Sequence, residues 1–183
     1  AYRPHSFLQS RGIDLPTGAR GDTATALTIT GLGEAKNAIV MRRIRHDGVE
    51  PYPGSVRYVR AVRAAGLRTA VVSSSANAAE VLNAAGIAGL FETRIDGVSV
   101  EDQHLAGKPA PDTYLAAAKV LGVEPGEAAV FEDALSGVAA GRAGRFGFVV
   151  GIDRVGQADE LLANGADRVV TDLAQLLDPA ESP

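Results

Sequence analysis

The sequence predicts an α/β fold, a parallel sheet with helices on both faces, preceded by a separate helical lobe over residues 1–50. Three observations predict it. From Pro53 onward, short apolar runs alternate with helical stretches. The links between them are short, which in an α/β chain means strand–helix–strand crossovers within a parallel sheet. Aromatic residues make up only 5% of the chain, while Ala, Val, Leu and Gly abound, which favours layered helices and strands over a β-sandwich.

Taken in order, Pro4 to Arg11 reads as a short helix stopped by Gly12, and residues 14–31, rich in Gly, Thr, Asp and Pro, as a loop. Gly33 to Asp47 is helical, with Ile39, Val40 and Ile44 apolar and Gly48 as its stop. No strand is expected before residue 50. Ser55 to Ala65 is a helix, with Val56, Val59 and Val62 at three-residue spacing and Gly66 beyond its end. Arg68 to Ser73 is a short apolar run suited to a strand buried on both faces. Ala76 to Ala85 is helical and Phe91 to Ile95 is a candidate strand. Pro111 to Leu121 is a helix with proline in its first turn and Gly122 after it. Ala128 to Phe131 is a strand, Leu135 to Ala143 a helix and Phe146 to Gly151 a strand. Helix Gln157 to Ala163 and strand Arg168 to Thr171 close the pattern.

Composition bounds the function. The 183 residues, 46% hydrophobic and 22% charged, suffice for one full core. The longest apolar stretches, such as Phe146 to Ile152, are far too short to span a bilayer, and no export signal opens the chain. A cytoplasmic protein without a membrane partner is expected. With no cysteine, disulfides, thiol nucleophiles and cysteine-ligated zinc are excluded. The net charge of −4 argues against nucleic acid, whose binders usually carry a basic stripe. Arg42, Arg43 and Arg45 read as the wet face of a helix.

In parallel sheets of this kind ligands bind beyond the carboxyl ends of the strands, so the residues following each strand carry the information. After the first come Ser73, Ser74, Ser75, Ala76 and Asn77, placed at a helix start. They suit either an anion, received by hydroxyls and free N–H groups, or plain N-capping. The second cluster is Gly107-Lys108-Pro109-Ala110-Pro111-Asp112, where two prolines stiffen the loop around Lys108. A fixed ammonium there serves a phosphate or a carboxylate; the spacing does not distinguish it from a solvated lysine. The third is Glu132-Asp133 at the end of the apolar run Val130-Phe131. Two like charges at a partly buried strand end repel, and a hard cation such as magnesium relieves the repulsion. Capping of the following helix is the alternative.

Ser73, then Gly107 to Asp112, then Phe131-Glu132-Asp133-Ala134-Leu135-Ser136-Gly137 resemble, in order and spacing, motifs two, three and four of the haloacid dehalogenase superfamily. The resemblance runs from about Phe7 to Leu177. It is nearest to the β-phosphoglucomutase-like branch of phosphatases and mutases, with actinobacterial relatives tied to trehalose metabolism. It implies a Rossmann-like core over 51–183 and a partial helical cap over 1–50. It also implies roles. Ser73 would hydrogen-bond the transferring phosphoryl group, with Ser74 and Asn77 nearby. Lys108 would neutralise developing charge and hold the nucleophile, and Glu132 and Asp133 would bind Mg2+. Gly33-Glu34-Ala35-Lys36-Asn37 looks like the cap stretch where such proteins place a substrate-contacting lysine, here Lys36, which reads equally as an exposed helical lysine.

The superfamily's first motif, Asp-x-Asp on the first strand, supplies the nucleophile and the general acid and base. No aspartate here has another acid two places on; Asp96 is the nearest look-alike and falls between motifs two and three. The expectation is therefore a core lacking its first strand, in a sequence that is a piece of a longer protein, rather than a natural protein that has lost its nucleophile. The expected function is magnesium-dependent transfer or hydrolysis of a small sugar phosphate monoester through an aspartyl-phosphate, this chain alone being inactive. The alternative is a non-catalytic phosphate- or metal-binding module. A nucleotide-binding domain ranks last, because no glycine fingerprint follows a strand.

Overall fold

The computed structural model describes residues 8–9, 11–19 and 21–177. Of the helix expected over Pro4 to Arg11, residues 4–7 and 10 lie outside the described residues. The chain divides into two compact units, Ala1–Val49 and Glu50–Pro183.

In the first unit, helix α1 spans Ile29–Asp47 and starts four residues earlier than the sequence reading places it. The reason is Thr28, whose hydroxyl oxygen accepts from the Gly31 N–H at 2.9 Å and itself donates to Asp22 Oδ2 at 2.6 Å. A side-chain acceptor at the N-cap satisfies an N–H the helix leaves open, and that outweighs the glycines in the first turn. Gly48, at φ 75°, ends the helix as expected. Met41 is buried on α1, whereas Leu32, Ile39 and Val40 are exposed. No described helix is long and apolar enough to cross a membrane.

In the second unit the elements alternate as expected, with one further helix over Gly97–Asp102 that the sequence reading did not contain. Helix α2 (Pro53–Ala64) leads to β1 (Ala70–Val72), α3 (Ala78–Ala84), β2 (Thr93–Ile95) and α4 (Gly97–Asp102). Then come α5 (Asp112–Leu121), β3 (Ala129–Glu132), α6 (Leu135–Ala143), β4 (Phe148–Ile152), α7 (Ala158–Ala163) and β5 (Arg168–Val170). Most strands are shorter than the apolar runs that announce them. Arg68 and Thr69, for example, lead into β1 but bond the Glu92 carboxylate and the Leu90 carbonyl. Helix α4 has no apolar periodicity to betray it. Asp96 makes it, accepting from the Val98 and Ser99 N–H groups at 3.1 Å.

All strand pairs are parallel, and the strands form two sheets, β1-β2 and β3-β4-β5, where a parallel sheet holding 68–73, 128–131 and 146–150 but lacking its mid-sheet strand was expected. Neighbouring strands bond only at about 4.8 Å separation. Among the described residues no strand pairs with both β1 and β3 to carry the ladder across.

A shared core nevertheless joins the sheets. Tyr114 and Ala118 of α5, Val130 of β3, Val138 and Ala140 of α6, Val149 of β4 and Leu161 of α7 are buried together, with Phe146 among them and Val72 of β1 against them. Strand pleating sends Val150 and Ile152 to the opposite face, where Val170, Leu173 and Tyr58 of α2 meet them. Helices therefore cover both faces. Leu161 is fully buried, so Leu161→Ala is expected to cost about 2–5 kcal/mol of stability, read as a lowered urea midpoint at unchanged m-value. An unchanged midpoint would show that this core does not hold the unit together.

Candidate active site

The site is built where β3 ends. Its last residue, Glu132, carries a carboxylate only 12% exposed, and every donor around it comes from a different part of the chain. Lys108, itself 8% exposed, forms an ion pair with Glu132 Oε1. The Tyr114 hydroxyl donates to the same oxygen at 2.9 Å, and the Ala134 N–H donates to Oε2 at 3.0 Å. Lys108 is thus no solvated lysine of a helix-entry loop. Its loop is held by the Asp112 side chain, which accepts from the Ala106 N–H at 3.1 Å, and by a turn from Ala110 N–H to Gly107 C=O at 3.1 Å. Helix α6 comes close to the pair because Gly137 has no side chain: a Cβ there would lie 2.6 Å from Glu132 Cγ.

Asp133 differs from its neighbour. It is exposed, its carboxylate accepts no hydrogen bond from the described residues, and its backbone carbonyl accepts from Gln157 Nε2 at 2.8 Å. That bond ties the end of β3 to the loop after β4. There Asp153 Oδ1 accepts from the N–H groups of Gln157, Gly156 and Val155, at 2.9, 2.7 and 3.1 Å. Those bonds, that of Gln157 first, hold the Asp153 carboxyl below the usual aspartate range.

Ser73 follows β1 and is half-buried, but helix α3 begins only at Ala78, so the serines occupy a turn rather than the expected helix start. Ser73 Oγ accepts from the Ser75 N–H, and Ser75 Oγ from the Asn77 N–H, each at 3.1 Å. These local bonds are the reason the helix is delayed. Ser73 still has its hydroxyl proton to give, and Ser74 is exposed. No hydrogen bond joins Ser73 to Lys108, Glu132 or Asp133. Lys108 and Glu132 are thus joined by an ion pair, with Asp133 next in the chain, while Ser73, Ser74 and Asn77 follow β1, whose Val72 packs against the core around Tyr114 and Val130. Lys36 is exposed on α1, in the first unit.

Asp96 holds structure, not chemistry. It is buried at 2% exposure and bonds Arg94 Nε at 2.6 Å. Burial raises its pKa, but the bonds from Arg94 and Ser99 outweigh this and hold the carboxyl below the usual range.

Sequence reasoning missed Tyr114 and Gln157. Tyr114 was detectable: residues 114, 117, 118 and 121 form the buried face of α5, and a phenol on a core face needs a partner for its hydroxyl. Burial first, then the charges of Glu132 and Asp133, push that hydroxyl far above the ordinary tyrosine range, so it stays a donor. Gln157 has no such signal.

The donor set fits a hard cation in part. Glu132 Oε1 has both lone pairs engaged, Oε2 keeps one open, and the Asp133 carboxylate is free. Among the described residues no third acid or histidine completes a metal-binding group.

Residues 8–145 match the haloacid dehalogenase-like hydrolases. A β-phosphoglucomutase from Mycobacterium bovis is 55% identical over 175 residues, covering 94% of this chain and 67% of that protein. Among solved structures, a β-phosphoglucomutase from Clostridium difficile superposes with a TM-score of 0.71 at 24% identity, over 95% of this chain and 72% of that one. A hydrolase of the same family from Deinococcus radiodurans, solved with bound phosphate and sodium, gives 0.61 at 28% identity, over 94% and 83%. A family match over most of the chain, and a relative more than half identical across nearly all of it, agree with a lysine–glutamate pair at the end of a parallel strand: the chain belongs to the haloacid dehalogenase-like hydrolases.

Proposed function

We propose that this chain carries the charge-stabilising half of a phosphoryl-transfer site for a small sugar phosphate monoester. One observation carries the proposal: the Lys108 ammonium, its side chain 8% exposed, is held at the carboxyl end of β3 by Glu132, whose chain neighbour Asp133 is exposed. A fixed cation in a low-dielectric setting stabilises the charge spread over a transferring phosphoryl group, and it needs no reorganisation as the reaction proceeds. Lys108 is the residue for that role. Ser73, with its free hydroxyl proton, and the exposed Ser74 would donate to phosphoryl oxygens, with Asn77 nearby; Lys36 would be a substrate-contacting lysine. The identity with the mycobacterial β-phosphoglucomutase supports a sugar phosphate as the substrate class.

Asp133, with Glu132 through Oε2, would hold Mg2+, which when bound adds positive charge against the phosphoryl oxygens. The covalent relay in this reading is an aspartyl-phosphate on an Asp-x-Asp carboxylate, a motif that these 183 residues do not contain. Magnesium titration of the chain, followed by amide NMR, is expected to shift residues 131–136. Asp133→Asn is expected to abolish the response. A response that survives the substitution would remove Asp133 from the metal site.

A further inference from the structure

Tyr114 lies outside the three sequence motifs, yet its side chain touches both members of the part-buried ion pair. The hydroxyl donates to Glu132 Oε1 at 2.9 Å, and Lys108 Nζ lies 4.6 Å from the ring centroid. The ring is held in turn. It is 6% exposed and meets Phe146 edge-on, with centroids 5.8 Å apart and planes at 70°. A phenylalanine would fill the same apolar space, so packing does not account for the oxygen. Burying a phenol is unfavourable unless its hydroxyl is paired, and here the pairing falls on the oxygen that also receives Lys108.

We propose that Tyr114 is a positioning residue of this site: its hydroxyl and ring lock Glu132 Oε1 and the Lys108 ammonium into one unit. Two consequences follow from the lone pairs. Oε1 accepts from two donors and has none left, so Oε2 is the Glu132 oxygen open to a cation. The ammonium is anchored from two sides, by a carboxylate and by the face of an aromatic ring, and a lysine chain otherwise free to explore rotamers is confined to one. Tyr114 acts through these two groups and does not itself meet the phosphoryl group. The positioning stands on geometry; its effect on turnover rests on the phosphoryl-transfer reading above.

The experiment separates the two. In the 183-residue chain, the Lys108 ε-methylene protons should resonate upfield of exposed lysines, shifted by the Tyr114 ring current. Tyr114→Phe keeps the ring and removes the donor. The expected result is that the Lys108 signal moves toward the exposed lysines while the amide signals of 146–152 stay in place. Glu132→Gln, which leaves the ring and hydroxyl intact, should loosen Lys108 in the same way. A Lys108 signal unmoved in Tyr114→Phe would overturn the proposal, because Glu132 and the ring would then be holding the lysine without the hydroxyl. In a protein that also carries an Asp-x-Asp segment, Tyr114→Phe should lower kcat by about ten- to a hundredfold, the size of a hydrogen bond to a charged group, with KM little changed. Should that longer protein show no turnover at all, the phosphoryl-transfer reading fails, and the lysine signal still decides the positioning.

Discussion

A polypeptide of these 183 residues is expected to show no measurable phosphatase turnover, even with saturating magnesium and a reactive phosphate ester. Lys108 and Ser73 can stabilise a phosphoryl group, but neither replaces a carboxylate that attacks phosphorus in line. Loss of a covalent nucleophile typically removes several orders of magnitude in rate, whatever binding survives. Joining to Ala1 a segment with a strand and an Asp-x-Asp motif, as in a haloacid dehalogenase relative, is expected to restore turnover. Lys108→Ala should remove it again under conditions where circular dichroism shows the variant folded. Robust turnover by the 183 residues alone, insensitive to Asp133→Asn, would mean that the chemistry is of another kind.

The second large effect is on stability, and it controls the interpretation of the first. Lys108→Met removes the cation from a Glu132 that is 12% exposed, leaving the Tyr114 hydroxyl and the Ala134 N–H as its remaining donors. An uncompensated buried charge costs about 3–5 kcal/mol when its partner is deleted, a large share of a typical domain's stability of about 5–15 kcal/mol. Urea unfolding should show a midpoint lowered to match. Lys108→Met combined with Glu132→Gln should recover most of the loss, since neither charge is then buried alone. If the single substitution leaves the midpoint where it was, the ion pair is solvated in solution and Lys108 is not the preset cation proposed here.

The alternation of elements after residue 53 was legible, because each amphipathic or buried apolar run reports its own environment through its period. Helix α6, Leu135–Ala143, was placed to the residue. A single side chain decided what the reading misplaced or missed: Thr28 starts α1 earlier, and Asp96 makes α4, which was not expected. Both are caps, and a cap is a local hydrogen bond that composition does not register. The motifs were legible because glycine, proline and charge at strand ends have few uses besides turns and sites.

Some features were decided only by tertiary structure. In the sequence alone, Glu132 and Asp133 are an undifferentiated acidic pair. Folding divides them: Lys108 arrives from a loop 24 residues upstream and Tyr114 from 18 residues upstream, both onto Oε1 of Glu132, while Asp133 is left to solvent. By itself the sequence determined the element types, the strand ends that bear chemistry and the absence of an Asp-x-Asp, all properties of neighbouring residues. Which carboxylate is spent on a lysine and which is free was settled by packing, because a hydrogen bond needs a few tenths of an ångström of placement that no local pattern encodes.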